Sequence, residues 1–151
     1  MKHLIIVRHG DCSFLTDKLT QAGHNHVVSI VKKIQSMVSG TMVVLTSDAK
    51  RPRQSAMIFA ELFRCQVHHE SWLYCDNETY LNFGAVLNLV RQYAGQADVL
   101  VLVTHQEYTD AFPAHFCHYE LGVTPDYPSI AKGEALLIDC MAKTITHIRP
   151  D

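Results

Sequence analysis

The hydrophobic residues of this chain fall into short aliphatic runs that alternate with segments of helical spacing. Leu4 to Val7 is an unbroken aliphatic run, and Val99 to Thr104 is a second one. Such runs are typical of strands that are covered on both faces, as in parallel sheets flanked by helices. Two shorter runs, Thr41 to Thr46 and Cys65 to His69, predict two further strands of the same sheet.

Three segments between and after these strands repeat apolar residues at the spacing of one helical face. They predict helices over Leu19 to Met37, Ala49 to Phe63 and Tyr80 to Tyr93. Thr20 is the expected N-cap of the first helix, because its hydroxyl can accept a hydrogen bond from a free amide of the first turn. The chain therefore repeats a unit of strand, loop and helix.

The end of the chain has a different pattern. GEALLIDC and KTITHIRP are strand-like runs separated by about two turn residues, which predicts an antiparallel hairpin at a sheet edge. With the alternating strands and helices before it, this pattern predicts an α/β fold: a three-layer α/β/α sandwich with a mostly parallel central sheet and an antiparallel edge.

Composition narrows the class of protein. The length of 151 residues suits a single domain over residues 1–151. The net charge of -2, without clustered Lys and Arg, argues against nucleic-acid and membrane partners. Five cysteines without a C-x-x-C pair suit a reducing compartment, and no signal-peptide or membrane-spanning pattern is present, so we expect a cytoplasmic protein. The ten histidines lack metal-ligand spacing, so no metal or cofactor is expected.

Candidate chemistry lies where three of the predicted strands end. Arg8 and His9 follow the first strand, Arg51 and Arg53 open the helix after the second, and His105 follows Val99 to Thr104. Ligands of such sheets bind beyond the carboxyl ends of the strands. Arginine donates in a planar fork that fits phosphate oxygens, and a helix N-terminus favours an anion. The three strand ends together predict a phosphoryl site.

The two histidines suit different parts in phosphoryl transfer. His9 suits the nucleophile, because neighbouring arginines favour its neutral, attacking form. His105 suits a hydrogen-bond donor to the oxygens that carry charge during transfer. Each motif is weak by itself, and the joint pattern carries the prediction.

LIIVRHGD, SDAKRPRQSA and VLVTH occur in the order and spacing that resemble the histidine phosphatase superfamily, which has a phosphoglycerate mutase-like fold. LTQAG and GEALLID resemble further segments of that family. The resemblance implies that His9 becomes phosphohistidine without a cofactor, and that Arg8, Arg51 and His105 complete the phosphate pocket. It selects Arg51, four residues after the serine, and leaves Arg53 as a solvated residue on the helix surface.

The sequence departs from the family pattern at the proton donor. Cys75 stands where many members have a glutamate. Asp76 is the favoured replacement, ahead of Glu78 and Glu107. Pro52 also replaces a usual alanine, and it is tolerable only in the first turn of a helix.

Short connections between the elements leave little room for a lid. The chain thus resembles the small, lidless phosphohistidine phosphatases, and its expected partner is a phosphorylated protein or a small phosphorylated molecule. The alternative is a regulatory module that recognises phosphate with little or no turnover. A metal-dependent hydrolase built from the surplus histidines is the least favoured hypothesis.

Overall fold

The computed structural model describes residues 1–75 and 81–151, which form a six-stranded sheet with helices on both faces. The elements in chain order are β1 (His3–Arg8), α1 (Gln21–Gln35), β2 (Met42–Thr46), α2 (Lys50–Phe63), β3 (Gln66–His69), α3 (Phe83–Ala94), β4 (Val99–Thr104), α4 (Gln106–Phe116), β5 (Ala135–Asp139) and β6 (Thr144–Ile148). A 3-10 turn covers Ser71–Leu73, and a π-helical turn, Cys117–Leu121, extends α4.

The strand order of the sheet is β3-β2-β4-β1-β5-β6. The first four strands in this order are parallel, β5 is antiparallel to β1, and β6 is antiparallel to β5. The predicted fold class and the terminal hairpin are therefore confirmed. β1 and β4 lie in the middle of the sheet, which explains why their sequences are continuous aliphatic runs.

Alternate residues of β1 supply two separate cores. Leu4 and Ile6 pack with residues of α3 and α4 on one face, whereas Ile5 and Val7 pack with residues of α1 and α2 on the other. All four side chains are fully buried. Burial of one such side chain contributes roughly 1.5–3 kcal/mol, so a single charged substitution here would destabilise both layers around the site.

The helix starts follow from local sequence. The amide of Gly23 donates to Thr20 Oγ1 at 2.9 Å, which confirms Thr20 as the N-cap of α1. Pro52 is the third residue of α2, in the first turn, where its missing amide hydrogen costs no helical hydrogen bond. The third helix begins at Phe83, later than predicted, because the Asn82 side chain accepts from the amide of Ala85 and caps the helix there.

The helix that follows β4 has no counterpart among the predicted elements. α4 contains Pro113, which has no amide hydrogen and interrupts the pattern of helical hydrogen bonds. The hydroxyl of Tyr127 lies at this break: it donates to the carbonyl of Asp110 at 2.7 Å and accepts from the amide of Ala114 at 3.2 Å. A side chain distant in sequence therefore links Ala114 and Asp110 beside the proline.

Within the described part of the chain, none of the helices combines the length and the apolar character needed to cross a bilayer.

Candidate active site

The carboxyl ends of three neighbouring parallel strands, β2, β4 and β1, meet at one edge of the sheet. They border a cleft of about 230 Å³, and its lining residues are Arg8, His9, Cys12, Arg51, Cys75, His105, Gln106, Glu107 and Lys132. The structure thus brings together Arg8, His9, Arg51 and His105, the residues of the predicted phosphate pocket. Arg8 ends β1, His9 and His105 directly follow β1 and β4, and Arg51 lies in the first turn of the helix after β2, so the sheet positions all four.

His9 is held in one tautomer. Its Nδ1 lies 2.8 Å from the carbonyl oxygen of Gly10, and a carbonyl can only accept, so Nδ1 carries the proton. The other nitrogen, Nε2, therefore has a free electron pair, and it accepts a hydrogen bond from Arg51 Nε at 3.1 Å. Nε2 is the atom that can act as a nucleophile.

Burial, together with the positive charges of Arg51, Arg8 and Lys132, lowers the pKa of His9 to about 4, against the opposing hydrogen bond to Gly10. The side chain is only 5% exposed. Burial and the neighbouring cations both make a positive charge on the imidazole unfavourable. His9 is therefore neutral near pH 7, which is the form that attack requires.

His105 lies beside His9, with ring centroids 5.5 Å apart and the planes inclined at 67°. Its Nε2 is hydrogen-bonded to Ser47 Oγ at 2.9 Å. Burial lowers the pKa of His105 to about 3, and the neighbouring charges of His9 and Arg51 act in the same direction, whereas Asp17 opposes them. Both histidines are neutral in the same pH range.

Two arginines border the cleft from different elements. Arg51, in the first turn of α2, donates through Nη1 to Asp17 Oδ1 at 2.5 Å. An aspartate of the loop between β1 and α1 therefore orients the guanidinium group of Arg51. Arg8 donates through Nη1 to the carbonyl of Ile130 at 3.0 Å. Its Nε is buried and has no hydrogen-bond partner in the described structure. An oxyanion in the cleft would supply acceptors for both groups.

The main chain beside His9 is closely packed. A Cβ added at Gly10 would lie 2.9 Å from the carbonyl oxygen of Gly23, so the loop after β1 passes directly against α1. The amide of Gly10 donates to Ser55 Oγ at 3.0 Å, and Ser55 Oγ donates to the carbonyl of Arg51 at 2.9 Å. Ser55 therefore connects the loop of His9 to the helix of Arg51.

Sequence reasoning did not find Lys132 and Asp17. Lys132 precedes β5, and because β5 is antiparallel to β1, its start lies at the edge where β1 ends. The amide of Gly133 donates to the carbonyls of Arg8 and His9 at 3.1 and 3.0 Å, which holds Lys132 beside the nucleophile. The predicted hairpin order was the available signal for Lys132. Nothing in the local sequence distinguishes Asp17 from other loop carboxylates.

Of the three candidate proton donors, only Glu107 lies among the described residues. Asp76, the favoured candidate, and Glu78 lie outside the described residues. Glu107, in the first turn of α4, lines the cleft, and so does Cys75.

Arg53 is absent from the residues that line this cleft, in line with its exclusion from the phosphate pocket. The expectation of a solvated side chain holds only in part, because Arg53 is half-buried and its Nε is inaccessible to solvent. The helix turn that directs Arg51 into the cleft directs Arg53 into a second depression beside it.

Among residues 1–75 and 81–151, no group of three or more His, Cys, Asp or Glu side chains has an arrangement that could hold a metal ion.

Solved structures share this architecture. The protein histidine phosphatase SixA in complex with tungstate superposes with a TM-score of 0.72 at 17% identity, covering 98% of this chain and 97% of its own. A candidate phosphohistidine phosphatase SixA from Agrobacterium tumefaciens gives a TM-score of 0.69 at 16% identity, with 91% of each chain covered. A mycobacterial glucosyl-3-phosphoglycerate phosphatase in complex with VO3 gives 0.71 at 12% identity, with 97% of each covered.

No protein-family model and no curated protein sequence matches the chain. The structural similarity establishes the class of fold, that of the histidine phosphatases with their phosphoglycerate mutase-like architecture. The fold implied by the sequence resemblance is thereby confirmed. The phosphohistidine phosphatases SixA are among the proteins of this fold that the chain resembles over nearly its whole length.

Proposed function

We propose that this protein is a phosphatase of the histidine phosphatase superfamily that forms a phosphohistidine on His9 and requires no cofactor. The observation that carries the proposal is the state of His9: Nδ1 donates to Gly10, so Nε2 holds a free electron pair inside a cleft lined by Arg8, Arg51 and Lys132. A neutral nucleophile among fixed cations suits attack on a phosphate dianion.

In the first step, the Nε2 electron pair of His9 attacks phosphorus while the bond from phosphorus to the leaving group breaks on the opposite side. The Nε–H of Arg51 that now donates to Nε2 would turn to a phosphate oxygen, which frees the electron pair. The negative charge on the phosphoryl oxygens is stabilised by the positive charges of Arg8, Arg51 and Lys132. His105, which also lines the cleft, can donate a hydrogen bond to one of these oxygens. The leaving group takes a proton from a general acid, the role we assign to Asp76, unless it is an imidazole that already carries one.

In the second step, a water molecule attacks the same phosphorus and the bond to Nε2 breaks, returning the electron pair to His9. The products are inorganic phosphate and one proton, which returns to the general acid that protonated the leaving group. Because Gly10 accepts from Nδ1 throughout, the ring keeps its orientation in both steps. The cycle ends with the enzyme in its starting state and consumes no other reagent.

The structural neighbours support an oxyanion in such a cleft. One was determined with tungstate and another with VO3, and both are oxyanions that resemble phosphate in charge or geometry. The donors around His9 fit a group of this kind, since the buried Nε of Arg8 has no hydrogen-bond partner among the described residues. We also propose cytoplasmic action on a phosphorylated protein or small molecule, with protein phosphohistidine as the favoured substrate.

The proposal is tested by trapping the intermediate. A short incubation with ³²P-labelled phosphohistidine peptide, followed by denaturation in base, should label the wild-type protein with phosphate that is stable to alkali and lost in acid. His9→Ala should lose both the label and hydrolysis, because it removes the nucleophile. His118→Ala is the matched control, because His118 is an exposed histidine of the π-helical turn.

Full hydrolysis by His9→Ala would contradict the proposal. Phosphate binding by the wild-type protein without label and without turnover would instead support the alternative, a module that recognises phosphate. Activity that a chelator abolishes would favour the metal-dependent hydrolase.

A further inference from the structure

A second cleft lies next to the candidate active site. It encloses about 370 Å³ and is lined by Lys18, Lys50, Arg53, Gln54, Met57 and His69. We call it the basic cleft. Two residues of the basic cleft are sequence neighbours of active-site residues. Lys18 follows Asp17, the partner of Arg51, and Lys50 directly precedes Arg51.

The cations of the basic cleft differ from others on the surface. Lys33 and Arg91 each have a carboxylate oxygen within 2.7 Å. Lys18, Lys50 and Arg53 form no ion pair with any described residue, and no Asp or Glu is among the described residues that line the cleft. Three like charges that share one depression repel one another, which a bound anion would relieve.

The interior of the cleft also has a donor without an acceptor. Arg53 Nε is buried and makes no hydrogen bond within the described structure. Gln54 Oε1, the acceptor of a neighbouring residue of the cleft, accepts from the amide of Leu19 at 2.7 Å. An unsatisfied buried donor is costly, and a carboxylate bound to the same guanidinium group would offset that cost.

We propose that the basic cleft binds an acidic segment of a phosphorylated protein, whose phosphoryl group then enters the neighbouring active site. This inference rests on the proposed function, because it names the substrate class of the same site. Carboxylates match the three cations in charge, and Lys18 and Lys50 adjoin Asp17 and Arg51 of the active site in the chain.

An apolar edge favours a polypeptide over a small anion. Met57 lines the cleft and is 49% exposed, and Phe14 and Leu15 of the loop that carries Lys18 are 100% and 89% exposed. Exposed apolar side chains that flank charged positions are typical of protein-binding surfaces. A small phosphorylated metabolite would leave these side chains without contacts.

The first experiment measures binding without catalysis. Two unphosphorylated fluorescein-labelled peptides share one histidine and differ only in flanking glutamates or glutamines, and their affinities are measured by fluorescence anisotropy. At about 20 mM salt the glutamate peptide should bind at least about tenfold more tightly, and most of this preference should vanish at about 200 mM salt. Equal affinity for the two peptides overturns the proposal.

Variants locate the binding site. Arg53→Gln should weaken binding of the glutamate peptide about three- to fivefold, and the triple variant Lys18→Gln/Lys50→Gln/Arg53→Gln should remove the preference for glutamate. Lys32→Gln removes an exposed cation from α1 and serves as the matched control. An equal loss in Lys32→Gln would show general charge attraction and would overturn the basic cleft as the site. Melting temperatures confirm that each variant is folded.

The second experiment measures kcat/KM for the phosphohistidine forms of both peptides. The ratio of glutamate to glutamine peptide should fall about tenfold in the triple variant. Because binding is measured on unphosphorylated peptides, the two failures are distinct. Absence of turnover with the glutamate preference intact would refute the phosphatase and leave the docking surface, whereas turnover without any preference would refute the docking surface alone.

Discussion

At the scale of single residues, the chemistry depends on where one proton resides. The carbonyl of Gly10 holds the proton of His9 on Nδ1, and burial among Arg8, Arg51 and Lys132 keeps the ring from accepting a second one. In the proposed mechanism, His9 is therefore ready to attack before substrate binds. The proposed reaction also needs a proton for the leaving group, which must come from a residue other than His9.

Asp76 is the residue that we expect to supply this proton. A serine or sugar alkoxide is a poor leaving group, so Asp76→Asn should lower kcat/KM for an alkyl phosphate by about 10²–10⁴-fold. A phosphohistidine peptide should be affected much less, because its leaving imidazole can already carry a proton. The measurement is kcat/KM for both substrates in the wild-type protein and in Asp76→Asn, and the wild-type protein should favour phosphohistidine.

Glu107→Gln is the control, since Glu107 is the described carboxylate that lines the cleft. A collapse of ester hydrolysis in Glu107→Gln, with Asp76→Asn unchanged, would transfer the role to Glu107. Efficient hydrolysis of alkyl phosphates by the wild-type protein would contradict the expected substrate preference.

Residues of the site were predictable to the extent that they follow strands. Arg8, His9 and His105 follow strongly patterned runs, and the ends of neighbouring parallel strands must meet. Asp17 and Lys132 were not predictable in this way. Lys132 reaches the cleft, and Asp17 reaches Arg51, through loops whose paths depend on tertiary contacts, such as the bonds from the amide of Gly133 to the carbonyls of Arg8 and His9.

At the scale of elements, α2 connects the two halves of the site. Its first turn carries Arg51, and one turn later Ser55 bonds both the amide of Gly10 and the carbonyl of Arg51. Ser55 is fully buried. Its hydroxyl therefore connects the loop that contains His9 to the helix that carries Arg51.

Removal of this hydroxyl should destabilise the protein. In Ser55→Ala the buried amide of Gly10 would lose its acceptor, which should lower the free energy of unfolding by about 1–3 kcal/mol. Urea denaturation measures the change. Ser129→Ala is the matched control: its hydroxyl donates to Asp110 at 2.7 Å at an exposed site, where about 0.5 kcal/mol or less is expected. Equal costs for the two variants would contradict the role of Ser55.

α4 shows why one element escaped prediction. Its buried residues Tyr108, Phe112 and Phe116 have helical spacing, but Pro113 predicts a break. The helix continues because Tyr127 bridges the interruption, and no local pattern reports a contact made from 13 and 17 residues away. The strands and the other helices were predictable because their patterns and caps are local.

At the scale of the whole molecule, folding buries the side chains of His9 and His105. The pKa values of His9 and His105 fall to about 4 and about 3 in the folded state, from an ordinary value of 6.5. Between these limits the unfolded chain binds more protons than the folded one. The free energy of unfolding must therefore rise with pH across this interval and level off above it.

Stability should accordingly decline as the pH falls from about 6.5 towards 4. The carboxyl groups with lowered pKa, such as Glu134, contribute their own loss only below their ordinary value of 4.5. The interval from pH 6.5 to 4.5 therefore isolates the histidines. Urea denaturation at several pH values measures the slope.

The control for this slope is the double variant His9→Gln/His105→Gln, which has neither titrating ring. Its free energy of unfolding should depend less on pH between 6.5 and 4.5, whatever its absolute stability. A slope equal to that of the wild-type protein would assign the pH dependence to other groups.

The partner that fixes the tautomer of His9 is a main-chain carbonyl, and every amino acid has one. No point mutation can delete that acceptor, in contrast to a side-chain carboxylate in the same role. Mutational sensitivity moves instead to the glycines that set the path of the chain: a Cβ at Gly10 would press on the carbonyl of Gly23, and a Cβ at Gly23 would collide with Asp11. In random mutagenesis, substitutions that disturb the orientation of His9 should therefore fall at Gly10 and Gly23, although neither residue has a functional group.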